Sequence, residues 1–568
     1  MSKRNQTLLQ LVLFAGILIF INILGNTFFN YYDLTEEKRF TLTDASKDLI
    51  ENLNEKVYVE VLLDGKFNAG FTRLQNSVRE LLDDYRSIST DLEYEFKNPL
   101  PGNVEEDNAV KQKLAKLGVY PINVQERTSD SKNEKLTYPY AFVYYQGRQT
   151  AINLLENNTP GANPEVVINN SISLLEYKIT NAITKLKTVI KPVVVYTSGH
   201  GELDAVQTSD FDNELVRTYD INRINLDSVV QVDKEIDIII VAKPLLPFSD
   251  KDNFKIDQFV MNGGRVLWLL DKVNASLDSM RTTGTQVPIP IDLNLERLLF
   301  RYGARVQPNL VLDLECTQIP LQTGVIGGKP QLDLFPWYYN PKVASRSNHP
   351  IVKSIDRVNL FFANRIDTIE TRKGNVKKEI LLSTSEYSRY QRVPINLTFE
   401  ILREEPNPKL FNKSFLPVAV LMEGTFPSEY ENRITEAMLE GMKDLDLKFK
   451  PLSDPTRMIV VADGDIAISR LDRQTQKPLP LGLNPFDKYL YSNKQFLLNC
   501  VDYLYDDKGV IEARGKDVKL RLLDRVKAKE EKTKWQLINI LIPILLLGAF
   551  GIFYNWLRRK RYGTEISG

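Results

Sequence analysis

Two long apolar stretches lie near the ends of this chain, and each has basic residues on its outer side. The first covers residues 8–24 and follows a Lys-Arg pair at positions 3 and 4, and the second covers 537–557 and precedes the run Arg-Arg-Lys-Arg at 558–561. A helix rises about 1.5 Å per residue, so roughly 20 apolar residues cross a bilayer core of about 30 Å. The pattern therefore predicts one transmembrane helix at each end.

The predicted topology places most of the chain on one side of a membrane. Basic residues remain on the cytoplasmic side, so both ends are expected to be cytoplasmic. We assign the transmembrane helices to 8–27 and 536–557, with cytoplasmic ends at 1–7 and 558–568. A cleaved signal peptide is the alternative for the first span, but the bulky residues at 22–29 offer a poor cleavage site.

Short strand and helix patterns alternate between residues 40 and 155. β-branched and aromatic residues crowd the predicted strands, and apolar residues recur at helical spacing in the predicted helices. The pattern predicts a helix at 43–53 and then a strand at 57–63, a helix at 71–85, a strand at 92–96, a helix at 105–117 and strands near 122–127 and 138–145. From residue 57 onward the order β-α-β-α-β-β resembles a thioredoxin-like unit, and the absence of a C-x-x-C motif excludes redox chemistry.

A larger α/β domain is predicted from residue 165 to 271, with its last part at 455–510. Its strands are apolar throughout and alternate with helices, which implies a mostly parallel sheet covered on both faces. This architecture is of the flavodoxin-like or glutamine-amidotransferase-like kind. The predicted elements are a long helix at 168–187, strands at 192–197, 237–242, 265–270 and 458–462, and helices at 254–261 and 494–505.

Two further segments complete the predicted organisation. Residues 272–454 are irregular and rich in proline, so we interpret them as an insertion or a third subdomain, with strands near 379–383 and 417–422. Residues 511–535 carry many charges and form a stalk that leads to the second transmembrane helix.

Composition excludes several classes of function. The 568 residues carry 73 basic and 73 acidic side chains, and a net charge of zero argues against nucleic acid as a partner. Only two cysteines (Cys316 and Cys500) and two histidines (His200 and His349) are present. They supply neither a disulfide framework nor a cysteine-based metal site, although a single bond between the two cysteines stays open. No phosphate-binding G-x-x-x-x-G-K-[ST] loop occurs, so we predict no ATPase activity and no cofactor.

Polar residues follow the predicted strands of the larger domain. In open α/β sheets, ligands bind beyond the carboxyl ends of the strands. That edge is expected to gather residues for ligand or partner binding: Ser198, His200, Glu202, Lys243, Asp271, Asp463 and Asp465.

Several alternatives remain open for these residues. His200 could act as a general base with Glu202 as its acidic orienter, but the glycines around it equally suit a tight turn between a strand and a helix. Asp463 and Asp465 could hold a hard cation, but two carboxylates fall short of the six or more oxygens that calcium takes. His349, which precedes a proline, is interpreted as a surface turn residue.

A combination of short motifs carries a resemblance over the full length of the chain. Together they resemble the auxiliary component of bacterial ABC transport systems, and more narrowly the gliding-motility accessory (substrate-binding) family of the Bacteroidetes, the GldG family. The motifs are RFTLTDA at 39–45, SGHGE at 198–202, DQFVMNGG at 257–264 and LPVAVLMEG at 416–424, followed by Phe426 and Arg433.

The resemblance implies a function and a set of partners. It implies a non-enzymatic, doubly anchored subunit of an ABC transporter in the bacterial inner membrane, with a periplasmic body. The implied partners are a separate ATPase, a separate permease, the lipid bilayer and an unknown envelope cargo. The alternative is an envelope hydrolase or amidotransferase-like enzyme that uses the turn at His200.

Overall fold

The computed structural model describes most of the body of the protein and one long helix near its end. The described residues are 41–100, 102–128, 131–156, 164–188, 190–353, 355–436, 448–472, 475–515 and 531–562, with isolated positions at 13–20 and 439–442. The predicted first transmembrane helix at 8–27 lies almost entirely outside them, as does most of the predicted stalk at 511–535. Clustering of contacts divides the chain into two compact units, Met1–Asp517 and Val518–Gly568.

The described residues form a mixed α/β structure. Its helices are α1 Asp44–Glu51, α2 Ala69–Ile88, α3 Val104–Lys116, α4 Pro164–Ser173, α5 Leu175–Lys187, α6 Ser209–Leu215, α7 Asp250–Met261, α8 Leu277–Thr283, α9 Glu296–Tyr302, α10 Asn493–Tyr505 and α11 Lys532–Tyr562. Its strands are β1 Val57–Val61, β2 Leu92–Phe96, β3 Ile122–Thr128, β4 Ser131–Thr137, β5 Tyr140–Tyr145, β6 Arg148–Asn153, β7 Val193–Ser198, β8 Asp220–Asn225, β9 Ile236–Ala242, β10 Arg265–Leu269, β11 Thr285–Gln286, β12 Ala304–Val306, β13 Asn309–Asp313, β14 Cys316–Ile326, β15 Lys329–Val343, β16 Val358–Asn359, β17 Ile366–Thr368, β18 Asn375–Ser383, β19 Ser388–Arg392, β20 Leu397–Thr398, β21 Pro417–Thr425 and β22 Thr456–Val461.

The first part of the body is a four-stranded sheet with the order β2-β1-β5-β6. Strand β1 is parallel to β2 and antiparallel to β5, and β6 is antiparallel to β5. Alternate residues of β1 (Val57, Val59 and Val61) are fully buried, and they share one core with residues of α2 and α5. The strands and helices predicted here lie within a few residues of those observed, and the hairpin of β3 and β4 precedes β5.

The prediction of one long helix at 168–187 is wrong, because the structure contains two helices that meet at Leu174. Two serine hydroxyls of α4 turn back onto the helix's own carbonyl groups, Ser171 to Val167 O at 2.7 Å and Ser173 to Asn170 O at 2.7 Å. Such bonds compete with the backbone ladder and bend helices. Leu174 N then bonds to Ser171 O at 3.2 Å, which tightens the last turn of α4.

The larger part of the body contains a seven-stranded sheet with the order β18-β21-β22-β10-β9-β7-β8. The five strands from β22 to β8 are parallel. The strands β21 and β18 add an antiparallel edge. Both of these antiparallel strands come from residues 272–454, so that segment contributes directly to the main sheet.

Side chains of each central strand enter two different cores. In β9, Ile238, Ile240 and Ala242 pack on one face, whereas Ile239 and Val241 pack on the other. The first face is covered by residues of α6 and α10, and the second by residues of α7 and α9. Because successive residues of a strand point to opposite faces, a strand buried on both faces is apolar without interruption.

Other residues of the segment 272–454 form a smaller core around Trp337 on β15. Strands β14 and β15 form a long antiparallel hairpin at this core. The two glycines of its turn, Gly327 and Gly328, both have positive φ angles, 57° and 79°, and glycine adopts this conformation without steric cost.

One helix of the described residues is long and apolar enough to cross a membrane. It covers Lys532–Lys560 within α11, and none of its apolar window is buried. It contains the predicted second span at 536–557, and it ends in the basic run at 558–561.

Candidate functional site

The carboxyl ends of three neighbouring strands bring four of the predicted site residues together. Lys243 follows β9, Asp271 follows β10 shortly after its end, and Asp463 and Asp465 follow β22. These strands are adjacent and parallel in the order β22-β10-β9, so their ends meet at one edge of the sheet. We call this group the carboxylate cluster: Lys243, Asp271, Asp463 and Asp465.

Short contacts join the members of the carboxylate cluster. The carboxylate oxygens of the three aspartates lie within 4.8 Å of one another. The Lys243 ammonium lies 3.3 Å from Asp271 Oδ2, and it also forms an ion pair with Asp465. Backbone N–H groups complete the arrangement, since Gly464 N donates to Asp271 at 2.7 Å and Phe361 N donates to Asp463 at 2.6 Å.

Burial and mutual repulsion govern the charges of this cluster. Asp463 is fully buried and Asp271 nearly so. Burial, together with the neighbouring carboxylates, raises the pKa of Asp271 to about 6 and raises the pKa of Asp463 well above its ordinary value. Burial alone would lower the pKa of Lys243, but the carboxylates of Asp271 and Asp465 outweigh it and raise that pKa. The lysine therefore stays charged, whereas the cluster favours protonation of an aspartate.

The backbone adopts uncommon conformations around the cluster. Lys243 has a φ angle of 54° and Phe362, next to the residue that donates to Asp463, has a φ angle of 52°. Residues other than glycine rarely occupy this region, and such residues concentrate at functional sites. A Cβ atom on Gly464 would lie 2.6 Å from Lys243 Cβ, so only glycine allows this close approach.

The carboxylate cluster supplies one more acidic group than the two that the sequence suggested for a hard cation. Asp271 joins Asp463 and Asp465, yet three carboxylates still fall short of the six or more oxygens that calcium takes. The Lys243 ammonium already pairs with two of the three. The arrangement suits recognition of a polar partner or a structural role better than cation binding.

His200 belongs to a second group, formed by the turn after β7. Its Nδ1 atom lies 3.4 Å from Glu202 Oε1, and its Nε2 atom lies 3.4 Å from Asp252 Oδ2. Its ring stacks on Phe248, with ring centroids 3.9 Å apart. Burial would lower the pKa of His200, but the two carboxylates outweigh it and raise that pKa above its ordinary value. We call this group the histidine cluster: His200, Glu202, Phe248 and Asp252.

This geometry leaves His200 poorly suited to act as a general base. A base must accept a proton on a free ring nitrogen within reach of substrate, but both nitrogens of His200 face carboxylates. The glycines on either side serve the turn, since Gly199 and Gly201 have φ angles of 111° and 78°. The backbone carbonyl of His200 also accepts from Leu245 N and Leu246 N, both at 2.8 Å.

Sequence reasoning missed two members of the histidine cluster, Phe248 and Asp252. A usable signal was present for Asp252, because Ser249 and Asp252 have the Ser-x-x-Asp spacing of a capping box at the start of a helix. The structure shows Ser249 as the N-cap of α7, where Asp252 N donates to Ser249 Oγ at 3.1 Å and the Ser249 hydroxyl donates to Asp252 Oδ2 at 2.6 Å. Ser198, the remaining predicted site residue, lies half-buried at the last position of β7. Ligand binding by any of these residues stays a prediction.

A cavity lies beside the amino ends of β9 and β10. It has a volume of about 640 Å³ and is lined by the first residues of β9 and β10 and by the end of α7. Basic side chains at its wall include Lys255, Arg265 and Lys450. Each of these three pairs with a carboxylate of the chain itself: Asp252, Asp507 and Asp454, respectively.

Comparisons with known proteins give matches at several levels. A family described as an ABC-type uncharacterized transport system matches residues 191–500, and a domain of unknown function matches residues 36–144. An uncharacterized protein of Borreliella burgdorferi is 23% identical over 445 residues, which cover 77% of this chain and 80% of the relative.

Similarity to solved structures is weak. The mmIFT52 N-terminal domain is 11% identical and covers 55% of this chain and 97% of its own, with a TM-score of 0.30. An exo-β-1,4-mannosidase of an Opitutaceae bacterium is 13% identical and covers 37% of this chain and 30% of its own, with a TM-score of 0.16. These TM-scores carry no argument about fold or function. The family match spans more than half of the chain, both site clusters included, and the protein therefore belongs to the family of auxiliary components of ABC-type uncharacterized transport systems.

Proposed function

We propose that this protein is a non-enzymatic, doubly membrane-anchored subunit of a bacterial ABC transporter that works with a separate ATPase and a separate permease. The observation that carries the proposal is the family match over residues 191–500 in a chain that also contains an exposed apolar helix at Lys532–Lys560. An auxiliary component without a nucleotide-binding loop needs a partner that hydrolyses ATP, because the chain has no means to do so itself.

The proposed topology places both ends of the chain in the cytoplasm and the body in the periplasm. The basic run at 558–561 favours a cytoplasmic tail after the second span. The body supports the same arrangement, because its first helix (α1) and its last described turn (Val510–Gly515) both pack against α5. The first and last described segments of the body therefore lie close together, which suits attachment to two anchors in the same membrane.

We also propose an architecture and a binding role for the body of the protein. Its first sheet is of the thioredoxin-like kind, its larger sheet is of the flavodoxin-like or glutamine-amidotransferase-like kind, and the segment 272–454 is an insertion. The edge that holds the carboxylate and histidine clusters binds an envelope cargo or another envelope component. The transporter supports gliding motility.

Purification of the full-length protein in a mild detergent tests the proposal. We expect an ATPase and a multi-span permease to co-purify with it in amounts comparable to its own. A variant without residues 1–27 serves as the control, since loss of one anchor should abolish this co-purification. Absence of an ATPase from the intact protein would contradict the proposal, and so would full retention of both partners by the truncated variant.

The alternative, a hydrolase or amidotransferase-like enzyme that uses His200, finds little support in the geometry. Both ring nitrogens face carboxylates, and no G-x-S-x-G nucleophile motif occurs in the chain. Replacing both His200 and Glu202 with alanine separates the two functions. An enzyme would lose its activity, whereas a transport subunit that still folds should still co-purify with its ATPase and its permease.

A further inference from the structure

The two ends of the folded body are held by one helix, α5. The incoming segment (residues 41–51, which contains α1) and the outgoing segment (residues 506–515) both contact α5, and α1 also contacts the turn Val510–Gly515 directly. All of these residues belong to the same compact unit.

Hydrogen bonds attach the incoming segment to α5. The backbone N–H and the hydroxyl of Thr43 both donate to Glu176 Oε1, at 2.7 and 2.8 Å. One turn further along α5, the hydroxyl of Thr180 lies 3.0 Å from Ser46 Oγ and 2.6 Å from Tyr85 OH. Glu176, Thr180 and Ser46 are buried, and buried polar groups are costly to leave unpaired. These hydrogen bonds therefore require a defined geometry, and their burial shields them from water.

A different set of contacts attaches the outgoing segment to α5. Tyr177 packs in a buried cluster with Ile511 and Ala513, and the Arg514 guanidinium lies over its ring at 4.8 Å from the centroid. The Tyr177 hydroxyl donates to Asp502 Oδ2 on α10 at 3.0 Å. A single tyrosine thus contacts both the outgoing segment and the helix that precedes it.

Asp502 extends these contacts to the seven-stranded sheet. Its other oxygen accepts from Tyr219 OH, just before β8, at 2.7 Å. Lys185 of α5 also lies 3.8 Å from the same carboxylate. Both ends of the body and the edge of the main sheet are therefore joined through residues of one 13-residue helix.

The positions on α5 explain why the two attachments cannot move independently. Glu176 and Thr180 are four residues apart and share one face of the helix, and Tyr177 and Asn181 share the adjacent face. Asn181 Nδ2 donates to the Tyr177 hydroxyl at 3.2 Å, which fixes that side chain. Glu176 and Tyr177 are consecutive, so a shift of α5 that follows one segment necessarily displaces the contacts of the other.

We propose that α5 is a coupling element that transmits displacement of either membrane-directed segment to the other and to the main sheet. Thermodynamic coupling is reciprocal, so the factor by which release of the incoming segment weakens the outgoing attachment equals the factor by which release of the outgoing segment weakens the incoming attachment. The coupling lies within the body and holds whether or not the protein works in a transporter. Failure of the co-purification described above would leave it unaffected.

Hydrogen exchange of the full-length protein in detergent micelles tests the coupling. Thr43→Val removes the hydroxyl bonded to Glu176, and Tyr177→Phe removes the hydroxyl bonded to Asp502, with little change of shape in either case. We expect Thr43→Val to raise exchange in residues 510–515 at least threefold, and Tyr177→Phe to raise exchange in α1 at least threefold. Thr184→Ala is the matched control, because among the described residues the Thr184 hydroxyl bonds only to Thr180 O of the same helix, and it should leave both segments unchanged.

The proposal is overturned if each variant changes only the segment that it contacts. Peptides from β7, β9 and β10 report global unfolding, and they should keep their protection in all three proteins. Should Tyr177→Phe fail to fold, Asp502→Asn replaces it, and Ser46→Ala replaces Thr43→Val in the same way. For these variants too, exchange raised at both segments supports the coupling, and exchange raised at one segment alone rejects it.

Discussion

The Lys243 ammonium lies 3.3 Å from Asp271 Oδ2, although the two residues follow different strands of the sheet. One lysine shares this edge with three aspartates. Three carboxylates and one ammonium group cannot all be ionised without leaving a net negative charge, and such a charge is costly in the protein interior. The carboxylate cluster should therefore make the stability of the protein depend on pH.

Replacing Asp271 with asparagine should stabilise the protein above pH 6. The pKa of Asp271 is raised from 3.8 to about 6 in the fold. The favourable contribution of the protonated Asp271 carboxyl to the free energy of unfolding is therefore fully present below pH 3.8, and it is lost as pH rises through about 6. Asparagine stays neutral and keeps an oxygen that can accept from Gly464 N. We expect a gain on the order of 1 to 3 kcal/mol at pH 7.5, measured by urea unfolding.

Comparing the wild type with Asp271→Asn at low pH tests whether the charge of Asp271 causes the gain in stability. At pH 4 the gain from Asp271→Asn should shrink towards zero, because the wild-type group is then largely protonated in the fold. Asp278→Asn is a suitable control, since the Asp278 side chain is 93% exposed. A gain of equal size at both pH values would show that charge is not the cause.

The two histidines should titrate in opposite directions from the ordinary value of 6.5. Burial would lower the pKa of His200, but Glu202 and Asp252 raise it overall. Burial lowers the pKa of His349, whose Nδ1 atom accepts from Ile351 N at 3.3 Å. An NMR titration with labelled histidine should show two separate transitions, and the variant His349→Gln assigns them. Coincident transitions near pH 6.5 would contradict the ion pairs of His200.

Both cysteines should resist thiol reagents in the native protein. Cys316 and Cys500 are free and buried, and burial raises the pKa of Cys316 to about 12 and the pKa of Cys500 well above its ordinary value. The thiolate is the reactive form, so a maleimide at pH 8 should label neither cysteine in the folded protein. In urea without reductant, the maleimide should label two cysteines per chain. Fewer than two in urea would indicate a disulfide.

Asp257 should be the most sensitive single position among the motifs that the sequence analysis singled out. Its buried carboxylate accepts from Ser428 Oγ at 2.6 Å, from Tyr302 OH at 3.0 Å and from Glu429 N at 3.1 Å. Alanine would leave these three donors unpaired in the interior. We expect a loss of about 2 to 4 kcal/mol in the free energy of unfolding, measured with urea, whereas Asp278→Ala should cost less than about 0.5 kcal/mol.

The positions of most strands in the four-stranded and seven-stranded sheets followed from the pattern of apolar residues, except for the edge strands β6 and β8. The predicted strand at 92–96 coincides with β2, and the predicted helix at 43–53 is observed as α1, where the Thr43 side chain caps the first turn by accepting from Ser46 N. Local periodicity carries this information because a strand or helix buries one face at a fixed repeat. The break at Leu174 was missed because apolar residues continue through it at helical spacing.

The sequence also indicated which side chains follow the strands of the main sheet, but not how they pair. Asp252, at the start of α7, contacts His200 although the two residues are 52 positions apart in the chain. No local pattern of residues encodes a contact over that separation. The order of the strands likewise depends on the pairing of distant residues. The sequence therefore did not show that β18 and β21 pair into the main sheet, and it missed β8 at the opposite edge.

By itself, the sequence determined where many apolar strands and helices form and where an apolar helix near the end of the chain is long enough to cross a membrane. These properties depend on neighbouring residues and on composition, which a single chain displays directly. Only the tertiary structure decided that Lys243 pairs with Asp271 and Asp465, that both nitrogens of His200 face carboxylates and that α5 contacts both ends of the body. Those contacts join residues far apart in the chain, and they exist only because the packed core brings their strands and helices together.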